Sequence, residues 1–212
     1  MDFLVKVLAA YLLGSVIGSL VLGRLKGVDI RKMGSGNAGA TNAIRTQGTA
    51  FGLAVFAIDL AKGWVASGVL PGLDLGLDSS PSGQAWLAPA CGLAAILGHV
   101  FPVWHGFRGG KGVATLVGAF AGFEAWLLLP LFVTWLVVVA VSGFVGLASI
   151  TAAAALPVYL LMRDGAIMGP EMCFAIACAV LVLFTHRANV RRMREGVEPR
   201  ARRLWLFGRK GG

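Results

Sequence analysis

Two short stretches crowd glycines against hydrogen-bond donors and a cation. They are Gly34-Ser35-Gly36-Asn37-Ala38-Gly39-Ala40-Thr41-Asn42, with Arg45 behind it, and Arg108-Gly109-Gly110-Lys111-Gly112. Glycine permits positive φ and close backbone approach, so successive N–H groups can converge on one anion. Ser35, Asn37, Thr41 and Asn42 add side-chain donors, and Arg45 offers a planar fork suited to a phosphate. Lys111 would set a compact charge on a phosphoryl oxygen. A third donor-rich segment, His186-Arg187-Ala188-Asn189, lies near the C-terminus. A lone Gly-Ser-Gly is more often an ordinary turn; donors at this density with a trailing arginine favour anion binding. Two such loops in one small chain are the pattern expected of a site joining two phosphorylated substrates.

Other chemistries are disfavoured. Lys111 follows paired glycines but without the GxxxxGK[ST] spacing of a nucleotide loop. No His/Asp/Glu spacing resembles a divalent-metal site, so neither a metal nor another cofactor is expected. Cys91, Cys173 and Cys178 sit in apolar stretches without CxxC spacing and read as packing residues. His105 is expected to face water.

The elements that must position these motifs are membrane helices. Of the 212 residues, 57% are hydrophobic and 14% charged, and the mean hydropathy is +0.78. That much apolar surface demands lipid, so the class is an all-α polytopic membrane protein. The net charge of +9 does not point to nucleic acid, because sixteen of the nineteen Lys and Arg lie in three segments between or beside apolar runs. The positive-inside rule accounts for them as cytoplasmic loops. The basic tail, 193–212, would also meet anionic headgroups.

A crossing helix needs about 20 apolar residues, fewer where the membrane thins. Residues 3–23, 50–70, 85–97 and 172–185 supply four spans. The long apolar run 113–162 suits three short helices with turns near Glu124 and Gly146. Segments 71–84, with Asp74 and Asp78, and 163–171 read as outer loops. The expectation is one domain of seven transmembrane helices, N-terminus outside and C-terminus in the cytoplasm. All three donor-rich segments then share the cytosolic side. Non-helical backbone at membrane depth survives only when buried in protein or lining a wet cavity, so these loops imply a cleft open to the cytosol.

Three ionisable residues fall within or at the ends of spans. His99 is either a general base or a neutral donor fixing a loop. Asp59 and Lys62, three positions apart, share a helix face. Charges within the membrane are costly and usually paired or functional. Mutual pairing is favoured here; the alternative is that one of them orients Arg45 or Lys111. His186, beside Arg187 and Asn189, reads as part of a phosphate-binding set.

The stretches GSGNAGATNAIR, GHVFPVWHGFRGGKGVAT and HRANVRR resemble the three signature segments of the PlsY family of bacterial membrane acyltransferases, and IDLAKG is similar to a further recurring segment. The resemblance covers nearly the whole chain. It implies transfer of an acyl group from acyl phosphate to sn-glycerol 3-phosphate, giving lysophosphatidic acid and phosphate, by a multi-pass protein of the bacterial inner membrane, working as a monomer with its site facing the cytosol. By motif, Ser35, Arg45, Lys111, His186 and Asn189 would hold the glycerol-phosphate group. Gly36, Asn37, Thr41, His99 and the Gly109-Gly110 turn would bind or polarise the acyl phosphate, and Asn42 joins the substrate-binding set. Gly146 stands where the family more often has Ser, so a hydroxyl role there would pass to Ser149, Ser142 or backbone.

The chief rival from another class is an organic-phosphate transporter. Transporters usually carry internal repeats and centrally broken helices; no repeat is visible, and the polar motifs gather at one face. The HxxxxD and DGxxAR signatures of other lipid enzymes are absent.

Overall fold

The computed structural model describes residues 1–77, 83–165 and 168–209. Asp78, the centre of the loop read at 163–171, and Lys210 lie outside the described residues. The chain is an all-α integral membrane protein. Four helical stretches are long and apolar enough to cross a bilayer: Thr49–Gly72, Gln84–His105, Ala125–Ser142 and Val145–Asp164. Counting each of two bent helix pairs as one span raises this to six.

The reading of residues 3–23 as one continuous helix needs correction. They form α1 (Asp2–Gly14) and α2 (Gly18–Leu25), bent by 45°. No proline stands at the bend. Ile17 is extended at φ −91° and ψ 115°, and side chains of another helix enter the broken ladder, a recognised cause of kinks. Gly18 N donates to Asp59 Oδ1 at 3.2 Å, and the Lys62 ammonium donates to the Val16 carbonyl at 2.7 Å.

Two compact units, residues 1–125 and 126–212, are described in turn. The first also holds α3 (Ala40–Gln47), α4 (Thr49–Trp64), α5 (Gln84–Val100) and α6 (Val113–Phe123). Its close helix pairs, α1 with α5 and α4 with α6, depend on glycine. A Cβ at Gly14 would strike the Ala95 backbone, and one at Gly118 the Leu60 carbonyl. Lipid gives little reward for burying large side chains, so small residues that let backbones approach carry such contacts. Past Trp64, α4 widens into a π turn, Val65–Val69. There Ser67 Oγ lies 3.0 Å from the Gly63 carbonyl and 2.8 Å from that of Ala119.

The second unit contains α7 (Leu128–Ser142), α8 (Val145–Asp164), α9 (Pro170–Thr185) and α10 (Arg187–Arg194), the last two bent by 50°. The turn from α7 to α8 falls at Gly143, whose φ of +77° ends α7 in the left-handed region that glycine tolerates. Residues 200–205 of the basic tail fold onto this turn. Ala201 N donates to the Gly143 carbonyl at 2.8 Å, Trp205 Nε1 donates to the Val141 carbonyl at 3.1 Å, and Arg200 stacks 4.7 Å over Phe144 and 4.1 Å over Trp205.

Candidate active site

The first glycine-rich loop is organised by Asn42, 2% exposed on the first turn of α3. Its Oδ1 accepts the Ser35 N–H at 2.9 Å, while Nδ2 sits 3.2, 2.9 and 3.0 Å from the carbonyls of Ile30, Met33 and Asn37. A side-chain amide has two N–H donors, so its polar atoms are committed to the loop. Asn42 therefore shapes the cradle from within. Gly34 and Gly36 take φ of +55° and +73°, turning the chain around it. Ser35, Gly36, Thr41 and Arg45 are exposed and Asn37 half-buried, so the donors of this loop face outward. Ala38 is fixed from behind, its carbonyl accepting from the buried Ser19 hydroxyl at 2.6 Å.

Behind the second loop lies a buried polar cluster. Lys62 Nζ is 2.9 Å from Asp59 Oδ1, and both side chains are 3% exposed or less. Pairing of these two is as the spacing predicts. The pair also meets His99. Lys62 Nζ is 2.9 Å from His99 Nδ1, and Asp59 Oδ1 is 3.4 Å from the same nitrogen. No local pattern foretells this contact, because 37 positions separate Lys62 from His99.

The second loop wraps the other end of the imidazole. Gly110 N donates to the His99 carbonyl at 3.1 Å and Gly109 N to that of Val100 at 3.2 Å. A Cβ at Gly110 would collide with His99 Nε2, and one at Gly109 with the His99 carbonyl. Both positions thus need glycine for close approach. Lys111 is half-buried, and Gly112, at φ +82°, starts α6.

Arg31 ties the two loops together. Its guanidinium donates to the carbonyls of His105 and Arg108 at 3.3 and 3.2 Å while gripping both oxygens of Asp29. The bidentate Arg31 contact holds the Asp29 carboxyl below the usual carboxylate range. Charge runs alone did not single out Arg31; an Asp two residues before an Arg was the available signal. His105, expected to face water, is half-buried beside this contact.

In the second unit His186 and Asn189 are buried at the α9–α10 bend. His186 Nδ1 lies 2.8 Å from the Val182 carbonyl. Asn189 Nδ2 donates to Glu198 Oε1 at 2.6 Å, and Arg192 Nε donates to Glu198 Oε2 at 2.6 Å. Glu198 escaped the sequence reading because it stood in a segment read as a basic tail. A Cβ at Gly146 would come within 2.9 Å of Asn189 Cβ and Nδ2, so Gly146 makes room for Asn189. Ser149 Oγ donates to the Val145 carbonyl at 3.0 Å, and Ser142 Oγ to that of Val138 at 2.6 Å. No group of three or more His, Cys, Asp or Glu suited to a metal occurs among the described residues.

An all-α membrane fold that presents donor-rich glycine loops around a buried Asp-Lys-His cluster matches a known class. Residues 4–196 fit the family of glycerol-3-phosphate acyltransferases, and the chain belongs to that family as an integral membrane enzyme. The glycerol-3-phosphate acyltransferase of Thioalkalivibrio sulfidiphilus is 45% identical over 195 residues, covering 92% of this chain and 91% of that protein. Two crystal structures of PlsY (YgiH), an integral membrane glycerol 3-phosphate acyltransferase, are also similar. The glycerol 3-phosphate form aligns with a TM-score of 0.81 at 37% identity, covering 94% of this chain and 96% of that one. The lysophosphatidic acid form gives the same score and identity and covers 95% of its own chain.

Within this family the Gly110 contact makes a test. Gly110→Ala must displace the His99 ring or the loop, and is expected to lower kcat at least tenfold while the protein still purifies as a folded species. Measured kcat within twofold of wild type would show that the loop–ring approach is not needed for turnover.

Proposed function

We propose that the enzyme moves an acyl group directly from acyl phosphate to a hydroxyl of sn-glycerol 3-phosphate, releasing lysophosphatidic acid and inorganic phosphate. The observation that carries this reading is the tie made by Arg31 between the exposed first donor loop and the second loop, which packs against the buried His99. Acyl phosphate is already activated, since phosphate leaves readily. The protein has mainly to align hydroxyl with carbonyl and to neutralise two crowded phosphates. Ser35, Arg45 and Lys111 hold the glycerol-phosphate group. Gly36, Asn37, Thr41, His99, Gly109 and Gly110 hold the acyl phosphate, and Asn42 acts by shaping the first loop.

His186 and Asn189 carry the same assignment to glycerol phosphate on motif alone. The Asn189 amide has two N–H donors and gives one of them to the Glu198 carboxylate. Seven crossings follow if the two bent pairs count as spans and the eleven-residue α6 is the seventh. That number puts the N-terminus outside and the three donor segments at the cytosol in a bacterial inner membrane. The enzyme works as a monomer.

The deciding assay offers purified protein labelled glycerol 3-phosphate with acyl phosphate, acyl-CoA or acyl carrier protein in parallel. Product from acyl phosphate alone is expected; equal use of a thioester would replace the proposed donor. An acyl group trapped on Ser35 or a cysteine during turnover would rule out direct transfer.

A further inference from the structure

The Asp59–Lys62–His99 cluster fixes more than position. An ammonium has three N–H donors and no acceptor, and Lys62 Nζ has three acceptors at hydrogen-bond distance: Asp59 Oδ1 at 2.9 Å, the Val16 carbonyl at 2.7 Å and His99 Nδ1 at 2.9 Å. With all three donors used, Nδ1 must offer its lone pair. A neutral imidazole that accepts at Nδ1 carries its proton on Nε2. The competing arrangement, Nδ1–H donating to Asp59, has the longer distance of 3.4 Å and would set an N–H against the lysine cation. Asp59 and Lys62, both from α4, are charged groups in contact with the ring; α1 and the second loop approach the His99 region with backbone, at Tyr11, Gly109 and Gly110.

Nε2 is the ring atom that lies against Gly110. We infer that Lys62, neutralised by Asp59, locks His99 as the neutral tautomer with its proton on Nε2, so that His99 donates a hydrogen bond to an oxygen of the acyl phosphate at the Gly109-Gly110 turn and does not serve as a general base. The inference rests on the proposed place of the acyl phosphate at that loop. Lys62 and Asp59 are positioning residues: they act on substrate through the imidazole. The intramembrane ion pair thereby has a purpose beyond its own stability, since the Lys62 ammonium donates to Asp59, Val16 and His99 at once.

The test is nitrogen NMR of protein labelled with 15N-histidine, with the His99 signals assigned through His99→Gln. In wild type, Nε2 should be protonated and Nδ1 unprotonated across about pH 5 to 8, the range in which an ordinary histidine changes charge. Lys62→Met should switch the ring to Nδ1–H or to imidazolium, facing Asp59, with kcat/KM reduced at least tenfold. Lys62→Arg, which keeps a donor cation, should retain the wild-type tautomer. A wild-type ring that carries its proton on Nδ1, or that titrates in this range, overturns the inference even if no variant folds. The spectrum needs no substrate, so it separates the two claims. If the tautomer is as stated but His99→Ala, which removes the donor, keeps full activity, the assigned substrate contact fails and the donor role falls with it.

Discussion

Arg45→Ala and Lys111→Ala are each expected to lose nearly all acyl transfer while remaining folded. Arg45 is exposed on the last turn of α3, and a substitution at such a site usually changes stability by under about 0.5 kcal/mol. Lys111 stands beside the glycine pair that grips His99. The reaction brings two multiply charged phosphates together, and each cation offsets repulsion that grows as they close. Removing one such preorganised group typically costs about 3–4 kcal/mol of transition-state stabilisation, a factor of roughly 100 to 1,000 in rate. Steady-state kinetics with each substrate varied in turn provides the check, together with a melting curve in detergent. A folded variant that keeps more than half of the wild-type kcat/KM would remove that residue from the phosphate-binding set.

The other large effect is on stability. Asp59→Ala would leave the Lys62 ammonium without its counter-charge inside the membrane and the Gly18 N–H without its acceptor. Breaking a buried pair from one side costs about 3–5 kcal/mol, because the remaining charge stays desolvated. The single variant should accumulate poorly and melt well below wild type. The double variant Asp59→Ala/Lys62→Met should recover most of the lost stability but not the activity, because His99 would still lack the lysine. Yield, melting temperature and turnover of the two single variants and the double form the cycle that isolates the coupling. A single variant as stable as wild type, or a double variant no better than Asp59→Ala, would show that the ion pair does not hold the bend.

Most of this architecture is written in local patterns. Spans at 50–70 and 85–97 announce themselves by length and apolar content, and both appear within α4 with its π turn and α5. The turn near Glu124 falls at the end of α6, and the one placed near Gly146 falls slightly earlier, at Gly143. The pairing of Asp59 with Lys62 follows from helical period alone. What the sequence hides is set by long-range contact. The break at Ser15–Ile17 has no proline to mark it, and its cause lies more than forty positions away in Asp59 and Lys62. Asn42 resembled its exposed neighbours in type, yet only folding reveals that its amide is turned inward. Arg31 looked like one more cytoplasmic charge until the loop carbonyls of His105 and Arg108 arrived beside it.

The bend between α1 and α2 also bears on how the enzyme is made. Ribosomes deliver residues in order, so Val16 and Gly18 enter the bilayer 46 and 41 positions ahead of the lysine and aspartate that satisfy them. Until α4 follows, the first span holds an unclosed gap in its backbone ladder, which hydrocarbon penalises heavily. Its mature shape is therefore a product of assembly, completed only when a later hairpin inserts alongside. Biogenesis of this enzyme has a built-in sequence of events, and a chain released before residue 62 could not finish its own first helix.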